Sequence, residues 1–312
     1  MHNADNPALI FVLGPTGSGK SALAVELAQR FDGEIVNCDS LQLYRGLNIG
    51  TAKITRDEQR GIPHYLLDAR DPQEVFSAGD FARESRAALA TIRQHGKLPI
   101  IAGGTGFYVK ALTDGLFDGP PRDHELRDRL SQREASKPGI LHRYLRRLDP
   151  AAAARIHSND VQKTIRAVEV CLRSDRPMTE QFGQSEEPLT GYRFIKLGLD
   201  PARQDLYARI NLRCQKMLDR GLRAEVEGLL AQGYGPQTKA LESIGYKQML
   251  DVIAGRLTES EALADIQMQT RRYAKRQLTW FRRDPEIHWL HGFGDDPAIA
   301  NQAAEILRLI KS

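Results

Sequence analysis

Eight residues near the N-terminus have the types and the spacing of a phosphate-binding loop. Residues 14–21 read GPTGSGKS, which fits GxxxxGK[ST] between an apolar run and a helical pattern. Glycines let backbone N–H groups converge on phosphate oxygens, the lysine adds positive charge, and the terminal hydroxyl can ligate Mg²⁺. A glycine-rich turn with a chance lysine would lack this flanking context. The predicted diphosphate- or nucleotide-binding residues are Gly14, Pro15, Thr16, Gly17, Ser18, Gly19, Lys20 and Ser21, with Mg²⁺ at Ser21.

The loop leaves the reaction open, because one cradle can hold a triphosphate being cleaved or a diphosphate about to leave. In an ATPase or GTPase we expect a later apolar strand that ends in aspartate. The best such pattern, residues 98–102, is followed by GGTG instead, and Leu66-Leu67-Asp68 is a weaker candidate. Nucleotide hydrolysis is therefore not favoured.

Asp39 and Thr105 each follow a predicted strand, so both are expected at the sheet edge that carries the loop. The Asp39 carboxylate could act as a general base, bind Mg²⁺, or cap a turn that starts at Ser40, and we favour the base. Thr105 lies between glycines and could approach the same cleft closely, or it could simply belong to a strand-to-helix turn.

The elements that must position these residues alternate along the chain. Strand patterns lie at 8–13, 34–38, 98–102 and 192–199, and helical patterns lie at 21–31 and 78–95. This alternation predicts an α/β fold, a P-loop NTPase-like parallel sheet flanked by helices. Residues 118–191 are charge-rich and helical in pattern, which predicts a helical insertion domain within a discontinuous core domain of residues 1–117 and 192–312.

The C-terminal third is predicted to be mostly helical, at 204–232, 246–254 and 260–283, with a closing strand at 286–290. The third helix carries Arg271, Arg272, Lys275, Arg276, Arg282 and Arg283, interleaved with Tyr273, Trp280 and Phe281. Arg272, Arg276 and Arg283 share one side of a helix. Such a stripe suits a nucleic-acid backbone, or it is a solvated face above core aromatics. A second basic run at 142–147, HRYLRR, strengthens the nucleic-acid reading.

Composition sets broader limits. The 312 residues are 41% hydrophobic and 27% charged, with a net charge of +4. The three cysteines are far apart, which gives neither a CxxC motif nor a disulfide framework and fits a reducing cytosol. The N-terminus has no signal-peptide pattern, and no run approaches the ~20 apolar residues of a membrane span. We expect a soluble cytoplasmic protein without a membrane partner.

Several ordered motifs make the whole sequence resemble the tRNA dimethylallyltransferases, also called tRNA isopentenyltransferases. Besides the loop at 14–21, they are DSLQLY at 39–44, NIGTAK at 48–53, GGTGFY at 103–108, AARIH at 153–157, RAVEV at 166–170, GYKQM at 245–249 and AKRQLTW at 274–280. The resemblance implies transfer of a dimethylallyl group from dimethylallyl diphosphate to N6 of the adenine 3′ to certain tRNA anticodons. The loop would then hold the departing diphosphate.

The resemblance also implies roles for individual residues. Asp39 is the expected general base, Arg213 a diphosphate contact and Thr105 a wall of the reaction channel. Without the resemblance, Arg209 and Arg213 would be read as a surface arginine pair. The expected tRNA contacts are Asp39, Ser40, Leu41, Gln42, Thr105, Arg127, Gln162, Lys163, Thr164, Ile165, Arg166, Glu242, Ser243, Ile244, Gly245, Tyr246 and Lys247.

The chain resembles the shorter bacterial members, which act as monomers and lack the zinc finger of eukaryotic ones. Two other functions are open: a P-loop small-molecule or nucleoside kinase in which Asp39 orients an acceptor hydroxyl, and a non-catalytic RNA-binding ATPase module. The missing strand-end acid argues against both. Whether ATP itself binds is left open.

Overall fold

The computed structural model describes residues 6–116, 119–181 and 188–311. The chain forms two compact units, a core unit of Met1–Thr113 with Leu189–Ser312 and an insertion unit of Asp114–Pro188. The predicted edges at 118 and 191 lie within four residues of these bounds.

A six-stranded parallel sheet forms the centre of the core unit in the described chain. Its strands are β1 (Ala8–Leu13), β2 (Gly33–Cys38), β3 (His64–Tyr65), β4 (Leu98–Gly103), β5 (Arg193–Leu199) and β6 (Ile287–Leu290). They lie in the order β3-β2-β4-β1-β5-β6. Every residue of β1, β2 and β4 is buried, as expected for strands covered on both faces. The predicted α/β class is therefore confirmed.

Helices flank this sheet and make up the insertion unit. The core unit contains α1 (Lys20–Phe31), α2 (Arg56–Gln59), α3 (Ala78–Gln94), α4 (Gly106–Thr113), α9 (Arg203–Asp219), α10 (Leu222–Ala231), α11 (Tyr246–Ile253), α12 (Glu259–Phe281) and α13 (Pro297–Lys311), and the insertion unit contains α5 (His124–Ser136), α6 (Ile140–Leu148), α7 (Pro150–Arg155) and α8 (Val161–Ser174). Short 3-10 turns lie at Met178–Gln181 and Lys239–Glu242. No described helix is long and apolar enough to cross a membrane.

One predicted element was wrong, since the continuous helix at 204–232 is two helices. α9 ends at Asp219, and Gly221 is the N-cap residue of α10, with φ 90°, a left-handed conformation that glycine adopts without steric cost. The break lets α10 turn and pack on α11, where Leu222 and Val226 join a buried helical cluster. The helices α2, α4 and α13 and the two-residue strand β3 were not predicted.

Strand register brings the strand ends named above to one edge. Leu13 pairs with Gly103, and Gly103 pairs with Cys38. The residues that follow these three therefore leave the sheet side by side. From β1 the chain crosses to β2 on one side of the sheet, and from β4, the neighbour of β1, it crosses to β5 on the other side. Such a change of direction opens a crevice at the carboxyl edge.

Candidate functional site

The loop between β1 and α1 has the backbone of a phosphate cradle. Gly17 and Gly19 have φ values of 82° and 86°, which favour glycine. Ser18 is buried and donates its hydroxyl to the Pro15 carbonyl at 2.8 Å. Lys20 donates its ammonium to the same carbonyl at 2.7 Å. The loop thus satisfies its lysine internally.

A cavity of about 670 Å³ opens beside this loop. From the predicted site residues it gathers Thr16, Gly17, Gly19, Lys20, Ser21, Asp39, Ser40, Leu41, Gln42, Arg213, Glu242, Ser243, Ile244 and Gly245. Gly14, Pro15, Ser18, Thr105, Tyr246 and Lys247 are not among its lining residues. Ile210, Met217 and Ile266 add buried apolar surface. One enclosure therefore combines a phosphate cradle, a carboxylate and a hydrocarbon-lined region.

Cations in this cavity are poorly solvated. Burial lowers the pKa of Lys20 to about 8, although the nearby Asp39 carboxylate acts to raise it. Burial also lowers the pKa of the Arg213 guanidinium, against the opposing effects of Cys214 and Asp39. An anionic ligand would relieve this cost, because it supplies the counter-charge that water supplies elsewhere.

The Asp39 side chain has one oxygen engaged and one without a hydrogen bond in the described chain. Its Oδ1 accepts from the backbone N–H groups of Leu41 at 2.9 Å and Gln42 at 3.3 Å. The capping role is therefore present, although it caps a turn and not a helix. Oδ2 is left for a second partner, so capping and base chemistry are compatible at this residue.

Thr105 supports the Asp39 loop. Its hydroxyl accepts from the Ser40 N–H at 3.3 Å and interacts with the Tyr273 side chain, while its own N–H donates to the Cys38 carbonyl at 3.3 Å. Burial raises the pKa of Tyr273 well above its ordinary value, which keeps the phenol protonated.

Close approach explains the three glycines around Thr105. A Cβ at Gly103 would lie 2.0 Å from the Cys38 carbonyl oxygen. A Cβ at Gly104 would lie 2.1 Å from Gln277, and one at Gly106 would lie 2.2 Å from Trp280. The GGTGFY and AKRQLTW motifs are therefore two sides of one contact between the β4–α4 loop and α12.

Gln277 is a site residue that our sequence reasoning did not single out. Its buried amide accepts from the Thr16 N–H at 2.8 Å and donates to the Gly104 carbonyl at 2.8 Å. The side chain thus ties α12 to the phosphate loop and to the β4–α4 loop. Its place within the AKRQLTW motif was the available signal, but the pattern alone does not reveal its partners.

A second pair of motifs meets at Glu225 on α10. Its carboxylate accepts from the N–H groups of Asn48, Ile49 and Gly50 and, at 2.6 Å, from the hydroxyl of Tyr246. A Cβ at Gly50 would lie 2.4 Å from the Tyr246 ring. Tyr246 is fully buried, so its side chain is a core element and does not face solvent. Arg213 in turn donates to the Thr51 carbonyl at 3.4 Å, which links this anchored loop to the cavity.

The two cavity arginines on α9 differ in their partners. Arg209 forms a two-point contact with Asp295, at 2.7 and 3.0 Å, and lies over the Phe293 ring. In the described chain, Arg213 makes no ion pair with an acid. Arg213 is therefore the arginine that remains available to an anionic ligand.

The donors at the cradle fit Mg²⁺ bound mainly through phosphate. Ser21 is exposed to the cavity at the start of α1. The described residues contain no group of three or more His, Cys, Asp or Glu that could hold a metal ion. Mg²⁺ commonly keeps its waters and uses few protein ligands beside phosphate oxygens. Ser21 is thus a suitable single protein ligand.

The predicted tRNA contacts in the insertion unit meet at a buried carboxylate. Glu169 accepts from Arg127 at 3.1 Å and from Arg166 at 2.8 Å. Burial would raise the pKa of Glu169, but these arginines and the Asp123 N–H hold it below its ordinary value. Thr164 and Ile165 are buried, whereas Gln162 and Lys163 are exposed. The segment 162–166 therefore includes core positions as well as surface positions.

The parallel sheet, with a phosphate loop at its switch point and no acid directly after β4 in the described chain, defines a P-loop NTPase-like protein whose cradle need not serve hydrolysis. A family model described as IPP transferase matches residues 42–284. The chain belongs to this IPP transferase family.

Individual relatives agree with the family match. The chain is 55% identical over 297 residues to a tRNA dimethylallyltransferase of Solibacter usitatus, covering 95% of this chain and 97% of that protein. It is 52% identical to one of Koribacter versatilis, covering 97% and 99%. Among solved structures it is similar to a tRNA isopentenylpyrophosphate transferase of Bacillus halodurans, with 37% identity, a TM-score of 0.71 and 97% of both chains covered. It is also similar to a eukaryotic dimethylallyltransferase acting on tRNA, with 28% identity, a TM-score of 0.79, and 96% and 77% covered.

Proposed function

We propose that this enzyme transfers a dimethylallyl group from dimethylallyl diphosphate to N6 of the adenine 3′-adjacent to the anticodon of certain tRNAs. The observation that carries the proposal is that the phosphate cradle and the Asp39 carboxylate open into one cavity. A diphosphate leaving group and a nucleophile that must lose a proton would need these two features together.

The cradle would act on the leaving group. As the bond between the allylic carbon and the diphosphate oxygen breaks, its electron pair goes to that oxygen, and Lys20 and Arg213 lie where they could stabilise the growing negative charge. Mg²⁺, held through Ser21 and phosphate oxygens, would supply further charge neutralisation. The apolar residues Ile210, Met217 and Ile266 suit the hydrocarbon group.

Asp39 would act on the nucleophile. The adenine N6 forms the new bond to the allylic carbon, and its proton passes to the carboxylate, for which Oδ2 is available. Engagement of Oδ1 by two backbone N–H groups orients the side chain for this step. The products are N6-isopentenyladenosine and diphosphate.

The target base must leave a stacked anticodon loop to reach the cavity, which costs a few kcal/mol. Contacts from segments 39–42 and 242–245, which line the cavity, would offset that cost.

Three buried free cysteines suit a reducing compartment, and we propose a cytoplasmic monomer.

A labelling experiment tests the proposal. Protein is incubated with Mg²⁺, radiolabelled dimethylallyl diphosphate and an anticodon stem-loop that carries adenosine after the anticodon. A matched RNA with purine riboside at that position lacks the N6 amine and is the control. Label should appear only in the adenosine RNA. Absence of label from both RNAs, with ATP turnover in a parallel assay, would refute the proposal.

A further inference from the structure

The loop between β6 and α13 packs against the phosphate loop. It consists of residues 291–296, HGFGDD, and we call it the β6–α13 loop. The Gly294 N–H donates to the Ser18 carbonyl at 2.8 Å. Among the described residues, this bond and the bond from the Thr16 N–H to Gln277 are the two that tie the backbone of residues 15–19 to distant parts of the chain. The C-terminal end of the protein therefore supports the phosphate loop at a second point, beside α12.

The two loops touch backbone to backbone. A Cβ at Gly294 would lie 2.5 Å from the Gly19 carbonyl oxygen, and a Cβ at Gly19 would lie 2.8 Å from the Gly294 nitrogen. Gly294 does not have a left-handed φ, so the close approach is what requires a glycine there. Gly19 is required for two reasons, its φ of 86° and this contact.

Asp295 connects the same contact to α9. Its carboxylate receives two hydrogen bonds from Arg209, at 2.7 and 3.0 Å, and its Oδ1 lies 2.8 Å from the place of a Cβ at Gly19. The Arg209 guanidinium also lies 4.6 Å from the centroid of the Phe293 ring. The hydrogen bond from Arg209 lowers the pKa of Asp295, which favours the charged pair. Two residues of the β6–α13 loop thus hold an arginine that lines the cavity.

A glycine-rich loop needs such support to bind an anion well. Glycine loses more conformational freedom on ordering than any other residue, and N–H groups that already converge bind a phosphate at a lower entropic cost. α9 supplies a further contact, because a Cβ at Gly17 would lie 3.1 Å from Ile210. The Asp295–Arg209 pair therefore joins the two elements that pack on Gly17 and Gly19, the left-handed glycines of the phosphate loop.

We propose that Asp295 is a positioning residue for the diphosphate site. Through Arg209 and the neighbouring Gly294–Ser18 hydrogen bond, it keeps residues 17–19 in the shape that receives the diphosphate. The inference rests on the proposed function for the identity of the substrate. Loss of the Asp295 carboxylate should weaken binding of the diphosphate and leave RNA binding and the chemical step nearly unchanged.

The sign of the effect distinguishes positioning from simple electrostatics. Asp295 is a negative charge beside an anion site, so removal of its charge alone would strengthen diphosphate binding. Loss of a positioning contact has the opposite effect. Asp296 offers a matched control, because its carboxylate accepts from the Ala298 N–H at 2.9 Å and, in the described chain, forms no ion pair with Arg209.

The test compares Asp295→Asn with Asp296→Asn. Binding of inorganic diphosphate in the presence of Mg²⁺ is measured by titration calorimetry, and prenyl transfer is measured with dimethylallyl diphosphate and the anticodon stem-loop. Asp295→Asn should raise the Kd for diphosphate and the KM for dimethylallyl diphosphate about tenfold, because the loop no longer holds its binding geometry. Its kcat and its KM for RNA should stay within about twofold of the wild type, a split that a general folding defect would not give. Asp295→Glu should recover most of the affinity, and Asp296→Asn should match the wild type.

A double-mutant cycle with Arg209→Gln tests whether Asp295 acts through this arginine. If it does, Asp295→Asn should weaken diphosphate binding no further in the Arg209→Gln background. Equal losses of affinity in both backgrounds would contradict the proposed connection.

A pair of glycine variants tests the backbone contact separately. Gly294→Ala crowds the Gly19 carbonyl and should raise the Kd for diphosphate, with the KM for RNA unchanged. Gly292→Ala is its control, because its Cβ would meet the Ile299 side chain at 2.7 Å and not the phosphate loop.

The outcomes separate this inference from the proposed function. Unchanged or tighter diphosphate binding by Asp295→Asn, or equal changes in kcat and both KM values, in a protein that prenylates RNA, overturns the positioning role alone. A wild-type protein that binds diphosphate through this support but transfers no label overturns the proposed function alone. A wild-type protein that does not bind diphosphate overturns both.

Discussion

The cavity has two unlike walls. The sheet-side wall, residues 16–21 and 39–42, consists of short loops directly after β1 and β2, and its groups are largely backbone amides and one carboxylate. The helix-side wall, formed by α9 and α12, consists of long side chains such as Arg213, Tyr273 and Gln277. The two walls differ in what holds them in position. Strand register fixes the first wall, whereas the second depends on helices held in place by tertiary contacts.

Gln277 is where the two walls meet. Its amide reaches from α12 to the Thr16 N–H and the Gly104 carbonyl, so the phosphate loop is positioned partly by the C-terminal third of the chain. The comparison therefore predicts different consequences for damage to each wall. Loss of Asp39 at the end of β2 should affect the chemical step, whereas loss of Gln277 on α12 should affect how well the diphosphate substrate is held.

The largest effect is expected at Asp39. Asp39→Ala and Asp39→Asn should each lower kcat by about 10²- to 10⁴-fold, because neither can accept the N6 proton. The asparagine variant keeps an oxygen that can accept from the N–H groups of Leu41 and Gln42, so its melting temperature should stay near that of the wild type. The alanine variant loses this acceptor, so its melting temperature should fall. RNA affinity should remain within severalfold for both variants.

Single-turnover rates and thermal melts check this prediction. If Asp39→Asn retained a near-wild-type rate, turn capping would be the only role of this residue and the base assignment would be wrong.

A smaller effect, on binding, is expected at Gln277. Gln277→Met keeps the volume but removes the partner of the half-buried Thr16 N–H and of the buried Gly104 carbonyl, at about 1–3 kcal/mol for the carbonyl and less for the N–H. The loosened loop should raise the KM for dimethylallyl diphosphate about tenfold, with less effect on the KM for RNA. Gln269→Met is the matched control, since it removes a half-buried amide from the same helix, away from the loop. Equal changes in both KM values would contradict a specific link to the phosphate loop.

These two residues also show what the sequence could predict. Asp39 follows the strand predicted at 34–38, so the strand-end rule placed it at the phosphate edge. Nothing local to Gln277 indicates partners 261 and 173 residues away. The break between α9 and α10 was missed for a related reason, because helical periodicity continues through Gly221 and only packing on α11 requires the turn.

The predicted tRNA contacts show the same limit of sequence reasoning, because some of them are buried in the structure. Tyr246 belongs to a motif that the family resemblance assigns to RNA, yet the structure places its ring in the core against Gly50. A motif shows that residues act together, but it does not show which of them face the ligand.

A moderate, pH-dependent effect is expected from Lys20. Burial lowers its pKa to about 8, and diphosphate favours the charged form, so the pKa must be higher in the complex than in the free enzyme. Affinity for dimethylallyl diphosphate is then full below pH 8 and falls as pH rises through 8. One unit above, kcat/KM should be roughly tenfold lower, since one proton must be regained on binding.

Steady-state kinetics from about pH 6.5 to about pH 9.5 would measure this profile of kcat/KM. The kcat at saturating substrate should change less over the same range. Lys20→Arg should be slower overall but flat across the range, because its guanidinium stays charged. A wild-type profile that is also flat would place the lysine in a better solvated environment than the structure gives it.

The smallest effect on activity is expected at Tyr246, behind the helix-side wall. Tyr246→Phe removes the hydroxyl that donates to Glu225 at 2.6 Å, and a hydrogen bond to a charged group contributes about 1.5–3 kcal/mol. The free energy of unfolding should fall by that amount, while RNA affinity and kcat stay within about threefold, because the ring still packs against Gly50 and Glu225 still accepts from three backbone N–H groups. Denaturant unfolding and RNA binding, measured on the same preparation, distinguish a structural role of the Tyr246 hydroxyl from a direct contact with RNA. Lower RNA affinity with unchanged stability would mean that this phenol reaches the RNA after a rearrangement of α11, and the helix-side wall would then be a mobile binding element instead of a fixed support.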